Sequence, residues 1–289
     1  MKSQKSSQHE TGACLYLVAT PIGNLEDITM RALRILKEVD VIAAEDTRNT
    51  KKLCNYFDIT TPLVSYHEHN IEAGGEKLLQ YLRDGKSVAL VSDAGLPCIS
   101  DPGADIAMKA IDEEFAVVPI PGANAALTAL IASGITPQPF YFFGFLNRNK
   151  KDRRLQLESL KKRQETLIFY EAPHRLKDTL KDIELVLGNR RITLARELTK
   201  KFEEFLRGTV DEALEWASNN EIRGEFCVVL EGGTEVDSED EQQFWTDMTI
   251  EEHVHYIIEE TQMSSKDAIK EVAKQRNLPK RDVYQAYHQ

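Results

Sequence analysis

The thirteen residues from Val91 to Gly103, Val-Ser-Asp-Ala-Gly-Leu-Pro-Cys-Ile-Ser-Asp-Pro-Gly, hold two Gly, two Pro, two Ser and two Asp. Such a segment is a stiff loop that leaves its backbone groups open to a ligand. It follows an apolar run, Ser87 to Val91, that reads as a buried strand. Crevices outside strand carboxyl ends are where open α/β sheets hold ligands. A second Gly-containing loop, Thr20-Pro21-Ile22-Gly23-Asn24, leaves the first predicted strand, and a third, Pro119-Ile120-Pro121-Gly122-Ala123-Asn124, leaves the fifth. Three such loops at strand ends point to one shared cleft.

The elements that must position these loops alternate in a βαβ rhythm. Strands are expected at 15–19, 41–44, 63–65, 88–92 and 117–120, with helices in the gaps, for example Ile71 to Arg83. Asn24 is expected to cap a helix with Asp27 as its acidic partner, carrying Ile28, Ala32, Ile35, Leu36 and Val39 at helical spacing. This is the pattern of a largely parallel sheet covered on both faces. It restarts after Pro121, with a helix at 123–133, a strand at 140–145, a charged helix at 153–163, a strand at 166–170 and a helix at 174–187. A strand at 192–195, an antiparallel edge at 203–209 and a closing strand at 226–230 complete the set. The sequence thus divides into a disordered lead-in (1–13), an N-terminal α/β domain (14–120), a C-terminal α/β domain (121–232), an acidic linker (233–246) and a three-helix module (247–289). In that module Ser264-Ser265-Lys266-Asp267 caps the second helix and Pro279 starts the third.

Bulk composition narrows the function. At 289 residues, 42% hydrophobic and 29% charged, the chain is that of a soluble globular protein with sizeable cores. The polar stretch Met1 to Gly12 does not read as a secretory signal, and a cytoplasmic location is expected. The four cysteines lie far apart, without the spacing of a zinc site, and read as free thiols, so no metal is expected. A formal charge of −11 argues against a general nucleic-acid coat protein. The charge is uneven, however. From Arg148 to Arg163 eight Lys or Arg stand against Asp152 and Glu158, whereas from Glu235 to Glu252 there are eight acids and no Lys or Arg. The basic stretch suits RNA phosphates; its plainer alternative is a solvated helix face.

Several familiar motifs are missing. There is no G-x-G-x-x-G, no G-x-S-x-G and no H-E-x-x-H. Gly85-Lys86-Ser87 mimics the end of a P-loop, but position 80 is Gln and the tripeptide precedes a strand.

What is present resembles a specific family. Val18-Ala19-Thr20-Pro21-Ile22-Gly23-Asn24-Leu25-Glu26-Asp27, Ala44-Glu45-Asp46-Thr47-Arg48 and Ser92-Asp93-Ala94-Gly95-Leu96-Pro97 resemble the tetrapyrrole methylase superfamily. Within it they are similar to the ribosomal RNA small subunit methyltransferase I group. Phe169-Tyr170-Glu171-Ala172-Pro173-His174-Arg175, Ala195-Arg196-Glu197-Leu198-Thr199-Lys200 and Arg223-Gly224-Glu225-Phe226 agree. The resemblance implies two α/β domains of the tetrapyrrole methylase type with S-adenosylmethionine in the interdomain cleft, here followed by a small C-terminal helical module. It also implies 2′-O-methylation of a cytidine in the decoding centre of 16S rRNA, and a homodimer.

On this resemblance the donor would be held by Pro21, Ser92, Asp93, Ala94, Gly95, Leu96, Ile99, Pro121, Gly122, Ala123, Asn124, Tyr170, Leu198, Gly224, Glu225 and Phe226. Methyl transfer from a sulfonium is an in-line displacement that chiefly needs positioning, helped by an acceptor for the 2′ proton. Glu45, Asp46, Glu171, Glu197 and Lys200 are the catalytic candidates, with the choice of carboxylate open. Arg48, Arg148, Lys150, Lys151, Arg153, Arg154 and Arg175 are the candidates for RNA. The competing reading makes Glu45–Arg48 and Glu197–Lys200 simple i,i+3 ion pairs at helix starts. The plainer reading of His174 is that it only caps or packs. The C-terminal helices resemble a helix-turn-helix in outline, with Arg276-Asn277-Leu278-Pro279 as the turn, but a terminal three-helix module is equally consistent with docking or dimer packing. Neither DNA nor a membrane is an expected partner, and Lys280 and Arg281 are the natural contacts if the module touches RNA.

Two rivals stand beside this reading. A tetrapyrrole C-methyltransferase would share the donor site, but the basic patch, the extra module and Ser92-Asp93-Ala94 in place of a G-D-P loop favour RNA. A non-catalytic RNA-binding assembly factor would have no need of the donor.

Overall fold

The computed structural model describes residue 4, residues 13–233, residue 245, and residues 248–261, 263–276 and 278–288. Most of the expected lead-in and acidic linker, and Asn277 of the expected turn, lie outside the described residues. Residues 1–161 and 165–232 form one compact unit, and residues 162–164 and 233–289 a second.

The first unit contains two five-stranded sheets. In the first, β1 (Cys14–Val18), β2 (Val41–Ala44), β3 (Leu63–Ser65), β4 (Val88–Val91) and β5 (Ala116–Ile120) are all parallel, in the order β3-β2-β4-β1-β5. β2 and β4 are buried along their whole length. Their unbroken apolar runs are what a sheet covered on both faces requires. One face carries α1 (Met30–Glu38) and α2 (Thr47–Tyr56), with Ile35, Leu36 and Cys54 in the core; the other carries α3 (Ile71–Arg83) and α4 (Ala104–Asp112), with Leu78, Leu82 and Ile106.

The strand order explains why distant motifs meet. β2, β4, β1 and β5 are consecutive neighbours, so the loops leaving their carboxyl ends lie side by side.

The second sheet runs β6-β7-β10-β8-β9, from β6 (Phe140–Phe145), β7 (Thr166–Glu171), β8 (Arg191–Arg196), β9 (Glu204–Thr209) and β10 (Phe226–Leu230). β6 and β7 are parallel, and the other pairings are antiparallel. Tyr170 lies opposite Cys227, which lies opposite Ala195, so three separate motifs share one sheet edge. A bulge between Phe142 and Gly144, with Gly144 at φ +82°, turns Phe145 onto the Tyr170 ring at 5.6 Å. Helices α5 (Ala125–Ser133), α6 (Lys150–Leu160), α7 (Pro173–Leu187) and α8 (Val210–Asn219) cover this sheet.

Two expectations are corrected, and one helix between 209 and 226 is added. Asn24 caps only a 3-10 turn, Leu25–Asp27, by accepting from the Glu26 N–H; α1 starts at Met30 under Thr29, whose hydroxyl accepts from Ala32. The charged helix begins at Lys150 and not Arg153, because Asn149 accepts from both the Lys151 and Asp152 N–H groups. The helix α8 has its signal in Thr209–Glu212, a reciprocal capping box that a reading by apolar runs passes over.

In the second unit α9 (Ile250–Thr261), α10 (Ser265–Gln275) and α11 (Lys280–Tyr287) pack around Val254, Ile269, Val272 and Val283. The Ser264 hydroxyl accepts from Asp267 N–H, as its sequence position predicts. Arg276 donates to His253 Nδ1 at 3.0 Å and to the carbonyls of Trp245 and Met248. Among the described residues no helix is long and apolar enough to cross a membrane.

Candidate functional site

The loops of the first sheet are tied to one another by backbone bonds. Thr20 and Gly95 exchange N–H···O bonds at 2.9 and 3.0 Å, and the Thr20 hydroxyl donates to the Ser92 carbonyl at 3.2 Å. Asp93 holds the neighbouring loop: one oxygen accepts from Asp46 N–H at 3.1 Å and the other from the Asn49 side chain at 3.0 Å. Cys98 and Ser100 both take left-handed backbone angles, φ +72° and +62°. Non-glycine residues held there mark a loop over-determined by its surroundings, as functional sites often are.

The edge of the second sheet supplies the opposite wall. The Glu197 carboxylate accepts from Lys200 Nζ at 2.9 Å and from Glu225 N–H at 3.1 Å, while Lys200 also reaches Glu225 at 3.1 Å. Burial opposes ionisation of Glu197, but Lys200 and the Glu225 N–H outweigh it and hold its pKa below the usual range. Gly224 (φ +81°) is required beside it, because a Cβ there would collide with the Glu197 side chain. The two walls touch where Asn24 N–H donates to the Thr199 hydroxyl at 3.0 Å.

Between the walls lies a cleft of about 580 Å³. Of the donor candidates, Asp93, Ala94, Gly95, Leu96, Ile99, Asn124, Tyr170, Leu198, Glu225 and Phe226 line it. Pro21, Ser92, Pro121, Gly122, Ala123 and Gly224 do not; Ser92 and Gly224 act one step back, through the bonds and close approach just given. The catalytic candidates Glu45, Glu171, Glu197 and Lys200 line the cleft, and His174 does so as well.

Asp46 lies off the cleft. It caps α2 and grips the Arg48 side chain at 2.6 Å, which holds its pKa down to about 2. The expected Glu45–Arg48 pair is therefore an Asp46–Arg48 pair. Glu197–Lys200 is present, but in a turn rather than at a helix start. Both Glu171 oxygens are committed, one to the Thr179 hydroxyl at 2.6 Å and one to Ala172 N–H at 2.9 Å.

The RNA candidates do not behave alike. Arg48, Arg148, Lys150 and Lys151 are exposed. Arg153 is only 5% exposed and is bound to Asp182 at 2.6 Å, with Arg154 on the other Asp182 oxygen at 2.7 Å. Arg153 is thus a buried ion-pair residue and leaves no free charge for phosphate. Arg175 donates to the Leu146 and Asn147 carbonyls, at 2.6 and 3.2 Å, and lies 3.3 Å from Glu171.

Asp101, Ser100, Phe145 and Cys227 also line the cleft, and sequence reasoning missed all four. Asp101 sits in the same loop as Asp93, and its Asp-Pro-Gly setting was the available signal. Its pKa is pushed up to about 6, by burial first and then by Glu45, against the pull of the Ser92 hydroxyl. Glu45 is raised as well, chiefly by burial. Among the described residues no group of three or more His, Cys, Asp or Glu is placed to hold a metal.

Comparison with known proteins agrees with this geometry. The family of Tetrapyrrole (Corrin/Porphyrin) Methylases matches residues 14–214. The chain is 62% identical to the ribosomal RNA small subunit methyltransferase I of Bacillus subtilis over 95% of this chain and 94% of that one. It is 58% identical to the protein of the same name from Halalkalibacterium halodurans, over the whole of both. A uroporphyrin-III C-methyltransferase of Thermus thermophilus, solved with S-adenosyl homocysteine, shares the fold at a TM-score of 0.54 and 22% identity, over 78% of this chain and 99% of that one. The chain belongs to the tetrapyrrole methylase family, in its ribosomal RNA small subunit methyltransferase I group.

Proposed function

We propose that the chain is an S-adenosylmethionine-dependent rRNA methyltransferase, and that its acceptor is the 2′ hydroxyl of a cytidine in the decoding centre of 16S rRNA. The observation that carries this reading is the convergence of six separated motifs on one cleft, in a chain 62% identical to a relative bearing the rRNA methyltransferase name.

The cleft suits the donor. Its walls carry Glu45, Asp93, Asp101, Glu197 and Glu225 against the Lys200 ammonium, a balance that favours a ligand of net positive charge. Ile22, Leu96, Ile99, Leu198 and Phe226 supply apolar surface for a nucleoside base. When bound, the donor supplies an electrophilic methyl group on a sulfonium. The protein's own share is to hold this ligand between the Asp93–Leu96 loop and the Leu198 and Glu225–Phe226 edge, and to exclude water. Placement of this kind removes most of the entropic barrier to an in-line displacement.

The RNA would approach over exposed cations, Arg48, Arg148, Lys150 and Lys151, with Lys280 and Arg281 in the helical module as further contacts. A homodimer and a cytoplasmic location belong to the same proposal. So does the division at residue 121 into two α/β domains, followed by the linker (233–246) and the module (247–289).

The test offers labelled donor with 30S subunits, naked 16S rRNA and a tetrapyrrole in parallel. Label on RNA supports the reading. Label on the macrocycle moves the chain to tetrapyrrole C-methylation, and no transfer without donor binding leaves an RNA-binding assembly factor.

A further inference from the structure

Among the described residues six carboxylates line the cleft, and four of them are already engaged. Glu171 is closed off by Thr179 and Ala172. Glu197 and Glu225 share the Lys200 ammonium. Asp93 spends both oxygens on the α2 start, at Asp46 and Asn49. That leaves Glu45, which turns one oxygen to the Asp93 N–H at 3.5 Å, and Asp101, which accepts from the Ser92 hydroxyl. Among the described residues no lysine, arginine or histidine forms an ion pair with Asp101.

The placement of Asp101 is built rather than incidental. Two left-handed residues, Cys98 and Ser100, precede it, and Gly103 (φ +141°) follows, where a Cβ would come within 2.7 Å of Cys98 Sγ and Leu90. The groups facing Asp101 are Glu45 from the end of β2, Asp93, Cys98 and the Ser92 hydroxyl from its own loop, and Tyr170 from β7; the Ser92 hydroxyl donates to the carboxylate. Tyr170 is not a proton acceptor at neutral pH: burial pushes its phenol up to about 12 and its oxygen accepts from Ala126 N–H at 3.2 Å.

We infer that Asp101 is the group that takes the 2′ proton of the acceptor ribose, an assignment that rests on the proposed 2′-O-methylation. In that step the ribose 2′ oxygen bonds to the methyl carbon, and the carbon–sulfur bond breaks with its electron pair returning to sulfur. The 2′ proton passes to an Asp101 oxygen, and the neutral carboxylic acid releases it to water when products leave. The charge balance favours this sequence. A sulfonium in the cleft stabilises the Asp101 carboxylate before transfer, and its loss on transfer leaves Asp101 among Glu45 and Asp93, where the protonated form is favoured. A carboxylic acid titrating near 6 is ionised at neutral pH yet basic enough to accept a proton.

The experiment compares the wild type, Asp101→Asn and Asp101→Glu for S-adenosylmethionine binding by calorimetry and for single-turnover methylation of 30S subunits from pH 5 to 9. The wild-type rate should rise with pH and level off above about pH 7. The Asn variant should bind the cationic donor more weakly, by no more than about tenfold because the other wall carboxylates remain, turn over at least ~100-fold more slowly at saturating donor and lose the inflection. The Glu variant should recover part of the rate together with the inflection. A wild-type rate and pH profile in Asp101→Asn would overturn the assignment, as would loss of donor binding in both variants. If the wild type places no methyl on a cytidine 2′ oxygen, the underlying reading fails, an outcome separate from the other two.

Discussion

The Asn24 N–H donates to the Thr199 hydroxyl at 3.0 Å, fastening the loop after β1 to the loop after β8. Both loops flank the cleft, through Ile22 on one side and Leu198 on the other. Thr199 is held at φ +64°, with its own N–H on the Glu203 carboxylate at 2.6 Å. Replacing Thr199 by Val keeps the shape and removes the acceptor. A hydrogen bond of this kind contributes about 1 kcal/mol, so the donor Kd should rise roughly fivefold. Calorimetry that gave an unchanged Kd would show that the cleft needs no such fastening.

A second prediction concerns stability. Arg153 is buried on Asp182, which it shares with Arg154. Asp182→Ala strands a buried guanidinium and should cost about 3–5 kcal/mol in urea unfolding. The double change Arg153→Met with Asp182→Leu should recover most of that loss, because it removes both charges together. A near-neutral Asp182→Ala would contradict the buried pairing.

Asp101 carries a pH signature in the folded protein itself. Its pKa rises from an ordinary carboxylate value of about 4 to about 6 on folding. Below pH 4 both folded and unfolded states hold the proton, and Asp101 contributes nothing to the pH dependence. Between about 4 and 6 the folded state binds more protons, so stability falls as pH rises, and the penalty persists above 6. Asp101→Asn should therefore raise Tm at pH 7, by roughly 2–4 °C, and leave it unchanged near pH 3.5. Thermal unfolding at the two pH values checks both halves.

Much of this architecture is legible in the sequence because its signals are local. The parallel sheet announces itself through runs such as Val41–Ala44 and Val88–Val91, whose burial on both faces permits no polar alternation. The capped loops are legible too, since Gly, Pro, Asn and Asp mark turns by their own stereochemistry. What escapes is set by tertiary pairing. Arg153 resembles its basic neighbours until Asp182, on α7, is brought against it. Asp101 and Asp93 are equivalent acids in one loop until Asn49 and the Asp46 N–H take both oxygens of Asp93, while Asp101 is buried beside Glu45 and the Ser92 hydroxyl. No spacing rule in a single chain separates the members of either set.

The exposed cations give a prediction in salt. Arg148, Lys150 and Lys151 make no side-chain ion pair among the described residues. Changing all three to Gln should weaken 16S rRNA binding. It should also flatten the plot of log K against log salt by about 0.7–0.9 for each phosphate that is no longer neutralised. A parallel, undisplaced plot would mean that this stretch is a solvated helix face.

The proposed homodimer can be tested through α5. Leu127 and Ile131, four residues apart on one helix face, are 48% and 81% exposed. Apolar side chains in that position suit a second copy of the chain. Ile131→Asp should shift sedimentation from dimer to monomer without unfolding, and a wild-type monomer, or a variant that remains dimeric, would contradict it.

The most direct test follows the methyl group to its destination. The protein would be incubated with deuteromethyl-labelled S-adenosylmethionine and 30S subunits, the rRNA digested, and both nucleosides and fragments weighed by mass spectrometry. The expected result is label in 2′-O-methylcytidine from a decoding-centre fragment. Label on a base, on another nucleoside, or in a fragment elsewhere in 16S rRNA would contradict the proposed reaction.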